Sequence, residues 1–127
     1  IINISSIAAA SPQEVFPHYS AMKAGLSNFT VSLAQTLAPD NILVNSISPG
    51  PVWSKSWEDE AKAQCNGSSM EQTKKEIMEQ TGKTIPLNRM GMPEDLTGLA
   101  LFLASEQSAW ITATNFNVDG GLTRNPF

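Results

Sequence analysis

Tyr19 and Lys23 stand four residues apart in the stretch His18-Tyr19-Ser20-Ala21-Met22-Lys23, and Tyr19 is the only tyrosine in the chain. On a helix that spacing puts both side chains on one face. A free phenol ionises near pH ~10 and is a poor base at neutral pH. A fixed ammonium beside it favours the phenolate. A phenol tuned this way exchanges a proton with an alcohol or a developing alkoxide. Ser6, upstream, offers a hydroxyl that can bond the same oxygen and hold a carbonyl in place. Together these groups suit carbonyl–alcohol interconversion. That reaction also needs a hydride, which no side chain supplies, so a nicotinamide cofactor is implied. Taken singly, each group has a plainer reading. Tyr19 and Lys23 also fit a half-buried ring beside a solvated amine, and a lone serine is more often a turn or cap residue.

Positioning these groups falls to an alternation of strands and helices. Ile1 to Ser5 reads as a short buried strand, and Ser6 to Pro17 as a loop of small residues. From His18 to Leu37, Met22, Leu26, Phe29, Leu33 and Leu37 recur at spacings of four and three, one face of a helix. Asn41 can take the left-handed conformation that ends it. Ile42 to Ile47 reads as a second buried strand, broken by Ser48-Pro49-Gly50-Pro51. Residues 53–84 form a polar excursion, with a turn at Asn66-Gly67. A capping box, Ser68 with Glu71, opens a helix there that runs through Gln80. A further helix starts at Pro93 and runs through Leu103. Asn115 to Val118 is a third strand, closed by Asp119-Gly120-Gly121. The order implies an α/β fold: a parallel sheet with helices on both faces and right-handed crossovers. Ligands of such sheets sit beyond the carboxyl ends of the strands. Ser5-Ser6, Pro49-Gly50 and Asp119-Gly120-Gly121 all fall at that edge, and Tyr19 opens the helix beside it.

Composition narrows the function classes. Eight basic residues against twelve acidic ones give a net charge of −4, with no basic face for nucleic acid. No apolar run is long enough to span a bilayer. A single cysteine, Cys65, fits a reducing compartment, hence the cytoplasm, and has no metal-ligand partners in sequence; no metal site is expected. Three sequon-like triplets, at Asn3, Asn28 and Asn66, read as chance, since the first two fall inside regular structure. The chain opens on Ile1-Ile2-Asn3-Ile4, already inside a strand. This leads to the expectation that the 127 residues are the C-terminal part of a longer domain, and that this piece alone is inactive.

Several segments in order resemble the short-chain dehydrogenase/reductase family, in its classical branch. They are Asn3-Ile4-Ser5-Ser6, Tyr19 to Lys23, Val44 to Val52, Arg89-Met90-Gly91-Met92-Pro93-Glu94-Asp95 and Val118-Asp119-Gly120-Gly121. The resemblance runs over essentially the whole chain. It implies the C-terminal half of a doubly wound Rossmann-type domain, an NAD- or NADP-dependent oxidoreductase acting on a small alcohol or carbonyl compound, and a homo-oligomer, tetramer or dimer. Ser6, thirteen residues before Tyr19, matches the family's catalytic serine, and Ser5 does not. Tyr19 matches the general acid/base. Lys23 matches the lysine that tunes it and holds the nicotinamide ribose. Pro49, Gly50 and Val52 match the loop against the nicotinamide ring, with Ser54 standing where the family usually has Thr. The excursion at 53–84 matches the segment that covers the substrate. The phosphate-binding glycine loop and the residue that selects NAD or NADP have no counterpart here. Ala113 stands where the family usually has Gly.

Other residues have plainer readings. His18 points about 100° away from Tyr19 on a helix. Trp53 and Trp57 serve either as a lid or as packing at the base of the excursion, and the Asp119 segment is a tight turn. Two alternatives stay open: a non-catalytic dinucleotide-binding or interaction protein of the same fold, and a sugar-nucleotide epimerase or dehydratase, which shares the Tyr-Lys spacing.

Overall fold

The computed structural model describes residues 1–12, 14–65, 67 and 69–124. Three parallel strands, β1 (Ile2–Ile4), β2 (Asn45–Pro49) and β3 (Asn115–Val118), form one sheet in the order β1-β2-β3. Ile4 is level with Ile47, and Ile47 with Phe116. Helix α1 (Pro17–Leu37) crosses from β1 to β2. Two helices, α2 (Lys55–Gln64) and α3 (Met70–Gly82), make up the excursion after β2, and α4 (Glu94–Leu103) leads back to β3. This is the expected α/β alternation with a parallel sheet.

β2 runs later than the apolar stretch 42–47 predicts. Ser48 and Pro49, expected to break the strand, lie within it. The cause is the alternation of its backbone donors. Ser46 and Gly50 donate toward β3, to Thr114 and Val118, while Asn45 donates to Ile1 on the β1 side. By the same alternation the missing N–H of Pro49 falls on the β1 side, past the last residue of β1, where no ladder bond is lost. Ile42 lies outside the strand and is exposed.

Helix α1 forms where the periodicity places it, and Asn41, at φ 56°, closes the turn after it. Its sheet-facing side is a different one from the apolar stripe. Ser20, Thr30 and Ala34 are buried, while Met22 (74% exposed) and Phe29 (56%) face outward. Side-chain hydrogen bonds select that orientation: Asn3 Nδ2 donates to Thr30 Oγ1 at 2.9 Å, and Ser5 Oγ pairs with Ser27 Oγ at 2.8 Å.

Helix α2 was not expected. It lacks an apolar period and is held by ion pairs one turn apart, Lys55–Asp59 and Lys62–Glu58, both at 2.7 Å. Helix α3 starts one residue later than the capping box Ser68–Glu71 places it. Its cap is Ser69, whose Oγ accepts from Gln72 N at 3.2 Å; Ser68 and Asn66 lie outside the described residues. Gly67, at φ 82°, makes the turn between the two helices. Pro93 has helical angles and precedes the first residue of α4, with Glu94 and Asp95 in the first turn as expected.

Candidate active site

Tyr19 lies in the first turn of α1, 43% exposed, so its phenol is open to a ligand. One turn on, Lys23 Nζ stands 5.7 Å from the centre of the Tyr19 ring and donates to Ile4 O at 2.8 Å. That bond fastens the amine to the carboxyl end of β1. A second link runs the other way, from Ser5 Oγ to Lys23 O at 3.1 Å. Ser5 is buried, and its hydroxyl joins β1 to α1 through Lys23 O and Ser27 Oγ.

Ser6 follows directly. It caps the 3-10 turn Ile7–Ala9 that packs against α1, and its Oγ accepts from Ala8 N at 3.2 Å. The cap uses the oxygen's acceptor side and leaves the O–H free to donate. Both sequence readings of Ser6, cap and hydrogen-bond donor, are therefore compatible with one geometry. Strand β1 thus brings the Tyr19–Lys23 pair and Ser6 to the same end of the sheet.

The loop after β2 reaches that same end. A Cβ on Gly50 would lie 2.7 Å from Asp119 Cβ, so only glycine lets this loop pass the turn after β3. Val52 is level with Gly91 in an isolated parallel bridge: Gly91 N donates to Pro51 O and Trp53 N to Gly91 O, both at 2.9 Å. In a parallel bridge of this kind the N–H and C=O of Val52 itself point away from Gly91. They are a donor and an acceptor side by side, the complement of a carboxamide. Under the loop is a cavity of about 160 Å³ lined by Pro51, Val52, Leu87, Gly91, Val118 and Gly120. Ser54 is exposed at the start of α2, its Oγ 3.0 Å from Ser56 Oγ.

The Arg89–Asp95 segment braces the loop. Arg89 grips Asp95 through two bonds of 2.7 Å, and Asp95 also accepts from Met92 N at 2.8 Å. The Arg89 guanidinium, seconded by the Met92 amide, holds the Asp95 carboxyl well below the usual carboxylate range. Asp119 closes the turn after β3 as expected. Partial burial pushes its carboxyl up, but the Thr123 hydroxyl and the amides of Thr123 and Gly121 outweigh this and bring it below its ordinary value. It is fully engaged there, with Gly120 and Gly121 at positive φ.

A family model described as enoyl-(acyl carrier protein) reductase matches residues 1–123. The chain is 42% identical over 123 residues to a 3-oxoacyl-(acyl-carrier-protein) reductase of Chlamydia pneumoniae, covering 97% of this chain and 44% of that protein. It is 38% identical over 127 residues to L-2,3-butanediol dehydrogenase of Corynebacterium glutamicum, covering 98% and 48%. L-sorbose reductase of Gluconobacter frateurii, solved with NADPH and L-sorbose, superposes with a TM-score of 0.88 at 32% identity, covering 98% and 47%.

The chain belongs to the short-chain dehydrogenase/reductase family.

As a short-chain dehydrogenase/reductase it spans about half the length of the curated relatives it matches. The departure at Ala113 has a structural cost: it holds φ 60°, the left-handed region that favours glycine. Its N–H donates to Val44 O at 2.8 Å, and the neighbouring Thr112 Oγ1 accepts from Val44 N, so the strained residue is held in place. Among the described residues no helix is long and apolar enough to cross a membrane, and no group of three or more His, Cys, Asp or Glu side chains could hold a metal. His18 sets its ring edge-on to Phe16. Sequence reasoning placed Gly91 in a family motif but gave it no role; in the fold it braces Val52. A Cβ there would meet Val52 Cγ2 at 2.9 Å, a role no local pattern signals. Sequence reasoning missed a contact between Trp53 and Lys74, 21 residues apart.

Proposed function

We propose that this chain is the catalytic half, and by its motif order the C-terminal half, of an NAD- or NADP-dependent oxidoreductase that interconverts a small alcohol and a carbonyl compound. The observation that carries this is the amine of Lys23, held between Ile4 O and the Tyr19 ring one residue from the Ser5–Ser6 pair. Val52 offers its backbone N–H and C=O to the cofactor's carboxamide, and Pro49 and Gly50 form the floor on which its ring would lie. Lys23 has donors beyond the one bonded to Ile4 O, suited to ribose hydroxyls. Ser54 supplies a further hydroxyl. When bound, the nicotinamide gives or takes the hydride.

The chain's own part is proton transfer and alignment. Ser6 donates its free O–H to the substrate oxygen and fixes the carbonyl. Tyr19 gives its phenolic proton to that oxygen as negative charge develops, or accepts it in the alcohol direction. Lys23 favours the negative charge left on the phenol oxygen. The excursion 53–84 covers the substrate. In the whole protein, the outward Met22 and Phe29 of α1 support assembly as a homo-oligomer, dimer or tetramer. The single cysteine supports a reducing, cytoplasmic setting.

The test is turnover of the full-length protein against a panel of ketones and secondary alcohols with each nicotinamide cofactor. Ser6→Ala should lower kcat about 10²-fold or more, as loss of one oxyanion-type donor does, with cofactor binding kept. Equal turnover by Ser6→Ala and the parent would sink this role for Ser6.

A further inference from the structure

Backbone junctions at both ends join the excursion to the rest of the fold. At its start, Trp53 N donates to Gly91 O at 2.9 Å. At its end, a Cβ on Gly82 would lie 3.0 Å from Arg89 Cα, so α3 touches the 89–90 backbone directly. Between the junctions, the hydrogen bonds and ion pairs made by side chains of α2 and α3 stay, among the described residues, within those helices and their flanking residues. Lys55, Lys62 and Lys75 reach carboxylates of their own helix. Lys74 departs from this pattern. Its Nζ lies 5.1 Å from the centre of the Trp53 ring, within the range of a cation–π contact.

Trp53 is anchored at the start of the excursion. Its backbone is tied to Gly91, and it follows directly on Val52 in the loop after β2. Lys74 sits in the first half of α3, 21 residues along the chain from Trp53 and eight from Gly82. It also lines an open cavity of about 570 Å³ with Met78, Asn88 and Met92, so movement of α3 reshapes that space.

We propose that Lys74 on Trp53 is a latch that sets how often the α2–α3 excursion swings away from the loop after β2. Closed, it ties the cover to the residue next to Val52. Open, it frees the space between α3 and residues 88–92 for substrate arrival and product departure. What passes through rests on the oxidoreductase reading; the latch itself is a property of the fold. A half-exposed cation–π contact is worth about a two- to fivefold bias in the opening equilibrium.

The experiment is hydrogen exchange of α3 in the full-length protein, comparing the parent with Lys74→Met, Trp53→Leu, the double variant and Lys74→Arg. Lys74→Met keeps most of the aliphatic stem and removes the charge. It should speed exchange across α3 about two- to fivefold. Trp53→Leu should do the same, and the double variant no more than the larger single effect. Lys74→Arg, whose guanidinium also stacks on indole, should restore the parent's exchange. Unchanged α3 exchange in Lys74→Met, or single effects that multiply in the double variant, would overturn the latch. Coupled exchange with no hydride transfer in any protein would support the latch and refute the oxidoreductase reading. Intact transfer with uncoupled exchange would refute the latch alone.

Discussion

Lys23 Nζ is shared between the Tyr19 ring, 5.7 Å away, and the carbonyl of Ile4, 2.8 Å away. One amine thereby links the proposed acid/base to the end of β1, where Ser6 begins its cap. Replacing Lys23 by Met removes both the charge and the strand contact. We expect turnover of the full-length protein to fall about 10²- to 10⁴-fold, the usual scale of an acid/base defect, measured by steady-state kinetics. A loss under tenfold would place Lys23 in packing alone.

Ala113→Gly should stabilise the protein. Ala113 holds φ 60°, and a left-handed conformation costs an L-residue about 1–2 kcal/mol. Glycine gives back part of this through the greater freedom of the unfolded chain. A net gain of about 1 kcal/mol is expected, read from the urea midpoint at unchanged slope. No gain, or a loss, would mean that the methyl contributes packing that offsets the strain.

Gly50→Ala should act in the opposite sense. The added Cβ would lie 2.7 Å from Asp119 Cβ and 2.8 Å from Asp119 Cα, backbone that cannot swing aside. Overpacking of this kind costs about 1–3 kcal/mol, and the loop must shift away from its place under the proposed cofactor. Thermal unfolding and cofactor titration should both worsen; an unchanged midpoint would contradict the close approach.

Arg89–Asp95 makes a pH-dependent contribution whose sign follows from the Asp95 shift. Its folded carboxyl ionises at lower pH than the ordinary aspartate value of ~3.9, because the Arg89 guanidinium and Met92 amide favour the carboxylate. The stabilisation is thus present above about pH 4 and is lost as pH falls below it. Asp95→Asn should lower the unfolding midpoint at neutral pH and narrow its gap from the parent as pH falls below 4. Parallel profiles through that window would contradict the pairing.

The legible parts of the sequence were those fixed by local rules. Asn41 takes the left-handed conformation that closes the turn after α1, and Asn115–Val118 forms β3 just before Asp119-Gly120-Gly121. Tyr19 and Lys23 share a helix face by spacing alone, while the five ordered motifs made the family legible. What was hidden depends on partners distant in sequence. The outward turn of Met22 and Phe29 follows from Asn3–Thr30 and Ser5–Ser27 bonds across β1 and α1. Pro49 stays in β2 because β1 ends before its missing donor would matter. Helix α2 hid because its support is ion pairs, which leave no apolar period.

The most direct test of the central claim is single-turnover hydride transfer by Tyr19→Phe in the full-length protein, beside a titration of cofactor binding. Phenylalanine keeps the ring near Lys23 and deletes only the hydroxyl, and with it the exchangeable proton. The account predicts a transfer rate at least about 10²-fold lower with cofactor affinity within about twofold of the parent. Transfer at the parent's rate would contradict Tyr19 as the general acid/base and leave a dinucleotide-binding protein of the same fold as the better description.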